Sequence, residues 1–264
     1  MDMKGRFAMI EIAEAASPVR SVRRALAILR AFRLSDRSLA LGEIARRARL
    51  DKATARRLLV TLMAERLVEQ NPDTKAYSLG LGVLELAAGL TPCDDLRQRA
   101  QPLLAAIAED TGATAFLGVA HDDAALCIGR VDGDEAIQIR AWSIGGKMPL
   151  NCGAGPRVLM AWRPPAELAR LLARPLEALT PFTPADAEGL AAALARIRER
   201  GWELGINDVV EGICSVGIPV RDRGGTVIAA ISISGLQPHI LADDQPRHLA
   251  ILQRRARELE LRLG

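Results

Sequence analysis

Apolar residues recur every three or four positions in three successive segments near the start of the chain, which is the spacing of an amphipathic helix. The second segment covers residues 42–50. The third covers residues 52–67 and follows Asp51, a residue type that often caps a helix N-terminus. Because only a few residues separate these two helices, we predict a helix-turn-helix in which the start of the third helix faces outward. The first segment carries the apolar positions Val22, Leu26, Leu29 and Phe32.

A β-hairpin is predicted directly after the third helix. Two short strand-like stretches flank the turn residues Asn71-Pro72-Asp73. Three helices followed by a hairpin are typical of a winged helix-turn-helix, which we assign to residues 20–80. Residues 1–19 carry Glu11 and Glu14 within an apolar stretch, so this segment does not fit a signal peptide and we expect a flexible leader.

The rest of the chain predicts a linker helix and a second domain. Residues 81–92 are apolar on too many sides for a bare linker, so we predict a helix that connects the domains and packs against a partner subunit. Residues 93–264 alternate helical and strand patterns, which favours helices arranged around one sheet. The predicted fold class is therefore α+β, with a winged helix-turn-helix and a C-terminal α/β domain.

Composition and charge narrow the choice of partners. The chain has 264 residues, of which 49% are hydrophobic and 25% charged, as in ordinary soluble proteins. No apolar run approaches the length of a membrane helix, so we expect a cytoplasmic protein without a membrane partner. Residues 1–80 hold 16 Lys and Arg against 9 Asp and Glu, whereas the remainder holds 19 against 23. A basic first domain indicates a polyanionic partner, although a solvated basic surface would have the same composition.

Residues that would indicate catalysis or metal binding are scattered. The four cysteines include no C-x-x-C pair, and the three histidines are scattered along the chain, so we expect free buried thiols and no metal site. The chain contains neither a G-x-S-x-G motif nor a phosphate-binding loop. We therefore expect no cofactor and no enzymatic activity.

Several segments, in order and spacing, resemble the IclR family of bacterial transcription regulators over nearly the whole chain. They are SVRRALAILRAF, LGEIARRARLDKATARRLLVTL, RLVEQ, YSLGLGVLEL, IGGKMPLNCGAG, RERGWELGINDVVEGICSVGIPVRD and AAISISG. The resemblance implies a winged-helix domain, a linker helix and an effector-binding domain related to GAF folds. It also implies homodimers, often paired into tetramers, on partly palindromic double-stranded DNA operators.

Three positions depart from the family pattern. Ala53 stands where the family usually has Ser, and Pro156 stands where it usually has Lys. An acidic residue often found after the Gly-aromatic strand start falls on Gly205, with Asn207 and Asp208 nearby. The first change leaves DNA binding credible, and the other two bear on which effector binds.

Candidate DNA contacts lie in the first turns of the third helix and in the wing. A recognition helix presents its first turns to base edges in the major groove, where Arg can contact guanine bidentately. A purely solvated surface is the alternative for the two arginines. The candidates are Lys52, Thr54, Ala55, Arg56 and Arg57 in the helix, with Lys75 and Tyr77 in the wing as phosphate contacts.

Candidate effector contacts combine small and hydroxyl-bearing positions. Gly153 and Ala154 precede a predicted helix whose N-terminal amides favour an anion, although the glycines alone also fit a plain tight turn. Ser232 and Ser234 share one face of a strand. The resemblance implies that these serines belong to the effector pocket, and it adds Cys214 and Ser215, with Asn207 and Asp208 as further candidates. Because Pro156 replaces the lysine, amide dipoles must attract the ligand, and we predict a small organic acid.

The sequence therefore predicts a transcription regulator whose operator affinity is controlled by a small-molecule effector. The alternative is a small-molecule sensor that acts through a protein partner rather than through DNA.

Overall fold

The computed structural model describes residues 18–33, 36–89, 91–134, 142–243 and 245–263. Nearly all of the predicted leader, residues 1–19, lies outside these ranges. The chain divides into two compact units, Met1–Gly89 and Leu90–Gly264.

The first unit is a winged helix-turn-helix, as the sequence predicts. Its elements, in chain order, are α1 (Arg20–Leu29), α2 (Leu41–Ala48), α3 (Lys52–Ala64), β1 (Val68–Gln70), β2 (Tyr77–Leu79) and α4 (Gly82–Ala87). The Asp51 side chain accepts a hydrogen bond of 2.8 Å from the backbone N–H of Thr54, and this bond lowers the pKa of Asp51. The N-terminal cap predicted for the third helix is therefore present.

The two strands of the wing pair antiparallel, and their turn is held by one side chain. Asn71 Oδ1 accepts hydrogen bonds of 2.9 Å from the backbone N–H groups of Asp73 and Thr74. Tyr77 also pairs with Leu39, which precedes α2, through two backbone hydrogen bonds of 2.8 Å. These bonds hold the wing against the segment that precedes α2. Tyr77 also packs into the same apolar core as Ile28 and Leu59.

The predicted linker helix differs from the observed one. We expected one helix over residues 81–92 that closes at Thr91-Pro92, but α4 ends at Ala87 and α5 (Thr91–Thr111) begins at Thr91. Proline in the first turn of a helix loses no hydrogen bond, because the N–H groups there have no intrahelical partner. Pro92 therefore fits the start of α5 rather than the end of the preceding helix.

The second unit is built around one six-stranded antiparallel sheet, in the order β5-β4-β3-β8-β7-β6. After α5, its elements are β3 (Thr114–His121), β4 (Ala124–Val131), β5 (Lys147–Pro149), α6 (Ala154–Ala161), α7 (Pro165–Leu172), α8 (Ala187–Arg200), β6 (Glu203–Ile206), β7 (Ile213–Arg221), β8 (Val227–Leu236), α9 (Gln237–Ile240), β9 (Leu241–Ala242), β10 (Gln245–Pro246) and α10 (Leu249–Leu263). Helices flank this sheet, which confirms the predicted α+β class.

The two faces of the sheet carry different side chains. Ile231 and Ile233 of β8 lie in the apolar cluster that includes α5 and α10, whereas Phe116 of β3 packs with α6 and α8. Side chains alternate along a strand, so Ser232 and Ser234 face the α6 side. The face toward α6 is therefore the one that can present hydroxyl groups to a ligand.

Helix α6 approaches the sheet at a glycine. A Cβ atom at Gly217 of β7 would lie 2.8 Å from the carbonyl carbon of Ala154 and from the nitrogen of Gly155. The N-terminus of α6 thus rests directly on the backbone of β7, next to the serines.

Within the described ranges, no helix combines the length and apolar character that crossing a bilayer requires.

Candidate functional site

The outer face of α3 carries free cationic side chains. Lys52, Arg56 and Arg57 are exposed, and neither arginine has an ion-pair partner among the described residues. Thr54 is half-buried, and its backbone N–H is used by the Asp51 cap. These four residues lie on the first two turns of α3 and form one surface that an anion can approach.

Two of the predicted DNA contacts are wrong. Ala55 is 0% exposed, and Tyr77 is 5% exposed, because both belong to the apolar core of the first unit. Ala55 precedes the buried Leu59 by four residues, so the helical spacing already placed it on the inner face. Lys75, by contrast, is exposed in the turn of the wing, where its backbone is left-handed with φ 58°.

A cavity in the second unit brings most of the predicted effector residues together. It is small and partly open to solvent, so only a small molecule fits. The predicted residues on its wall are Gly153, Ala154, Asp208, Ser215, Ser232 and Ser234.

The hydroxyl groups of the cavity come from neighbouring strands. Ser215 of β7 is directly opposite Ser234 of β8, and Ser232 is directly opposite Phe116 of β3. The Phe116 ring stacks on Trp142 with a centroid distance of 5.9 Å and an interplanar angle of 26°. The cavity therefore has a wall of hydroxyls beside a pair of stacked aromatic rings.

Two predicted effector residues do not line the cavity. Cys214 is buried on the opposite face of the sheet, among apolar side chains, and burial raises the pKa of its thiol to about 11. Its neighbours Ile213 and Ser215 face the cavity, so the alternation of β7 turns Cys214 away. Asn207 stabilises the following loop instead, since its side chain accepts a 2.7 Å hydrogen bond from the N–H of Gly212.

The helix amides that we expected to attract an anion are already occupied. The N–H of Gly153 donates to Asp208 Oδ2 at 3.0 Å, and the N–H of Ala154 donates to Ser215 Oγ at 3.1 Å. Pro156, two residues later, has no N–H. The protein's own carboxylate thus caps the N-terminus of α6, and the predicted attraction by free amides is wrong for these two groups.

Arg157 is the main residue of this site that the sequence analysis missed. Its buried guanidinium contacts two carboxylates, with Nε donating to Glu203 Oε1 at 3.0 Å and Nη1 donating to Asp208 Oδ2. Burial lowers the pKa of Arg157, but the carboxylates of Asp208 and Glu203 more than compensate, and its pKa is raised overall. A single arginine among the apolar residues of α6 was the available signal, because a buried charge requires a partner.

The loop that carries Asp208 is held from a second side. Thr183 Oγ1 donates a hydrogen bond of 2.6 Å to the carbonyl oxygen of Asp208, and Thr180 Oγ1 donates one of 2.7 Å to that of Asn207. Arg157 also donates to the carbonyl oxygens of Asn151 and Leu204. The wall of the cavity is therefore fixed by a connected polar network rather than by apolar packing alone.

The described residues contain no group of three or more His, Cys, Asp and Glu side chains placed to hold a metal ion. The cavity instead offers hydroxyls, one carboxylate and aromatic surface, which suit reversible binding of a small, partly apolar molecule.

Both units match families of known proteins. The model of the IclR helix-turn-helix domain matches residues 21–72, and the model of the bacterial transcriptional regulator IclR C-terminal domain matches residues 91–261. The HTH-type transcriptional regulator XynR of Escherichia coli (strain K12) is 34% identical over 84% of this chain and 88% of that protein. The glycerol operon regulatory protein of Streptomyces griseus is 32% identical over 86% of this chain and 89% of that protein.

Solved structures show the same architecture. An IclR transcriptional regulator from Alicyclobacillus acidocaldarius has a TM-score of 0.82 at 29% identity, covering 94% of this chain and 100% of that chain. An IclR homolog from Microbacterium hydrocarbonoxydans, complexed with 4-hydroxybenzoate, has a TM-score of 0.81 at 25% identity, covering 92% of this chain and 98% of that chain.

Removal of the buried guanidinium should destabilise the second unit. We expect Arg157→Met to cost about 3–5 kcal/mol at pH 7, because it leaves the buried Asp208 without its cation, whereas Glu203 keeps its ion pair with Arg200. Urea unfolding followed by tryptophan fluorescence measures this, since all three tryptophans lie in the second unit.

The matched control is Arg196→Met on the exposed face of α8, which should change the stability little. Equal stability of Arg157→Met and the parent would show that the network does not support the cavity.

Proposed function

The chain belongs to the IclR family of bacterial transcription regulators, and from this we propose that a small molecule bound in the cavity changes the affinity of a dimer for a partly palindromic operator. This chain is a DNA-binding transcription regulator with a helix-turn-helix domain. The observation that carries the proposal is that one chain has both an exposed basic surface on α3 and, in its other unit, a hydroxyl-lined cavity. Since its partner is DNA, we expect it to act in the cytoplasm.

We propose that α3 enters the major groove. Arg56 and Arg57 are exposed and free of ion pairs among the described residues, so their guanidinium groups can contact base edges or phosphates without breaking an internal bond. Lys52 and Thr54 lie beside them at the start of the helix, and Lys75 in the wing can reach a phosphate.

Loss of both arginines should weaken specific binding. For Arg56→Ala/Arg57→Ala we expect a loss of roughly 1–3 kcal/mol for each bidentate base contact removed. The measurement is a fluorescence anisotropy titration with a duplex that the parent protein has selected from a random-sequence pool.

The control for this experiment is Arg196→Ala/Arg257→Ala, which removes two exposed arginines from the second unit. If the double variant in α3 keeps the parent's affinity and sequence preference, α3 is not the recognition helix.

We propose that the effector is a small organic acid with an aromatic ring. The hydroxyls of Ser232 and Ser234 can donate hydrogen bonds to a carboxylate, and Phe116 and Trp142 offer ring surface. Asp208 lines the same cavity, so a ligand that also carries a hydroxyl donor fits better than a simple acid. The relative from Microbacterium hydrocarbonoxydans binds 4-hydroxybenzoate, a molecule of this class.

Binding should depend on the serine hydroxyls. We expect a panel of small aromatic acids that includes benzoate and 4-hydroxybenzoate to contain ligands that change the tryptophan fluorescence, because Trp142 lines the cavity. Ser232→Ala/Ser234→Ala should lower the affinity of the protein for each of these ligands, while Ser38→Ala in the first unit should leave the affinity unchanged. Unchanged binding of every ligand by the double variant would place the effector elsewhere.

We also propose a homodimer, which can pair further into a tetramer. Leu81, Leu84 and Leu86 near α4 are about 70% exposed, which is more apolar surface than an isolated unit should leave in water. A partly palindromic operator also requires two helix-turn-helix domains.

Light scattering on the full chain tests the assembly. We expect at least twice the mass of one chain at micromolar concentration, because burial of these leucines between subunits favours association. A single-chain mass both with and without DNA would contradict the dimer.

A further inference from the structure

A largely buried cation lies beside the cavity of the second unit without forming part of its wall. Arg130 of β4 has only 12% of its side chain exposed, and its guanidinium carbon lies 5.7 Å from the centroid of the Phe116 ring. Phe116 itself lines the cavity. The face of an aromatic ring attracts a cation, so this contact holds Arg130 next to the cavity. Arg130 is therefore a source of positive charge for whatever the cavity binds.

The partners of Arg130 balance its charge only in part. Its Nε donates to Asp132 Oδ1 at 2.8 Å, and its Nη1 donates to Ser143 Oγ at 3.3 Å. The Asp132 side chain is 42% exposed, so water screens this carboxylate more than it screens the guanidinium. Toward the cavity, the buried positive charge therefore outweighs its solvated partner.

Strand pairing places Arg130 in line with one of the serine hydroxyls. Phe116 of β3 lies directly opposite Arg130 of β4 on one side and directly opposite Ser232 of β8 on the other. Residues directly opposite each other in neighbouring strands project from the same face of a sheet, so these three side chains share the face toward α6. Two strand spacings, about 10 Å, separate the backbones of Arg130 and Ser232.

The carboxylate of Asp208 lies at the other side of the cavity. A Cβ atom at Gly205 of β6 would lie 2.7 Å from Ser215 Oγ and 2.8 Å from Asp208 Oδ1, so Asp208 lies beside Ser215 of β7. Across the sheet the strands follow the order β4-β3-β8-β7. The cavity therefore lies between a cation on its β4 side and a carboxylate on its β7 side.

One oxygen of the Asp208 carboxylate is available to a ligand. Its Oδ2 accepts hydrogen bonds from the N–H of Gly153 and from Arg157. Its Oδ1 accepts none from the residues that the structure describes, and Asp208 lines the cavity. A ligand hydroxyl can donate to this oxygen, whereas a ligand carboxylate has no proton to donate and would be repelled.

We infer that Arg130 orients the effector and makes the cavity select acids over their uncharged analogues. The ligand carboxylate lies near Ser232, on the side of Arg130, and the hydroxyl of the same ligand lies near Asp208. The reverse orientation would bring two carboxylates together, which raises its energy. Arg130 acts by its charge from beside the Phe116 ring, and it is therefore a specificity-determining residue. This inference rests on the proposed function, in which the effector is an aromatic acid.

Two ligands that differ in charge test the inference. The probes are 4-hydroxybenzoate and its uncharged analogue 4-hydroxybenzamide, titrated into the full chain by calorimetry. Arg130→Gln should lower the affinity for the acid by about three- to tenfold, as expected for loss of one partly screened charge, and should leave the affinity for the amide within about twofold. Arg130→Lys keeps the positive charge and should retain most of the preference for the acid.

Asp132→Asn provides a second test with the opposite sign. Removal of the carboxylate that balances Arg130 should raise the affinity for 4-hydroxybenzoate by about two- to threefold and should leave the affinity for the amide unchanged. If the pair of Arg130 and Asp132 only supports the fold, breaking it from either side should lower the affinity for both ligands, which would contradict the inference.

The matched control is Arg196→Gln, which removes one exposed positive charge from α8 and should keep the parent affinity for both ligands. Equal losses for the acid and the amide in Arg130→Gln would show that Arg130 only supports Phe116, and they overturn the inference. Parent affinity of Arg130→Gln for the acid overturns it too, as does equal affinity of the parent for the two ligands. A parent that binds no aromatic acid would instead refute the proposed effector class.

Discussion

The buried guanidinium of Arg157 is the interaction on which the cavity of the second unit depends. It joins α6 to Glu203 of β6 and to Asp208 of the following loop, and Asp208 in turn caps the first amide before α6. A charge taken out of water must recover its lost hydration from its partners, so these groups are held in one arrangement. The wall that faces a ligand is therefore defined by electrostatics, whereas the sheet behind it is defined by apolar packing.

This network also changes how the cavity can recognise an anion. Free amides at a helix N-terminus would attract a carboxylate, but Asp208 and Ser215 already accept from Gly153 and Ala154. The carboxylate of the effector that we propose would therefore rely mainly on the serine hydroxyls as donors, at a distance from the Asp208 carboxylate. Hydroxyls distinguish ligands by geometry more than by charge, so among acids the shape of the ring and the position of its polar groups should decide selectivity.

Local patterns in the sequence predicted the elements, and long-range contacts decided the details of the sites. The cap at Asp51 and the alternation of Ser232 and Ser234 with isoleucines depend on neighbouring residues, and both were predicted correctly. The assignment of Cys214 to the cavity was wrong, because the packing of β7 against α10 on one side and α6 on the other decides which side chains face the cavity. The sequence analysis missed Arg157 for a related reason, since its carboxylate partners are 46 and 51 residues away along the chain.

In the first unit, the residues that stabilise the fold are different from those available to contact DNA. Its core is apolar and includes Ala55 and Tyr77, two positions first expected to contact DNA. The cations that remain for recognition lie outside that core, and most of them have no internal partner among the described residues. Unpaired surface arginines add little to folding, and their mutual repulsion opposes it. The same repulsion disappears when phosphates approach, so the electrostatic cost carried by the free domain becomes part of the driving force for binding DNA.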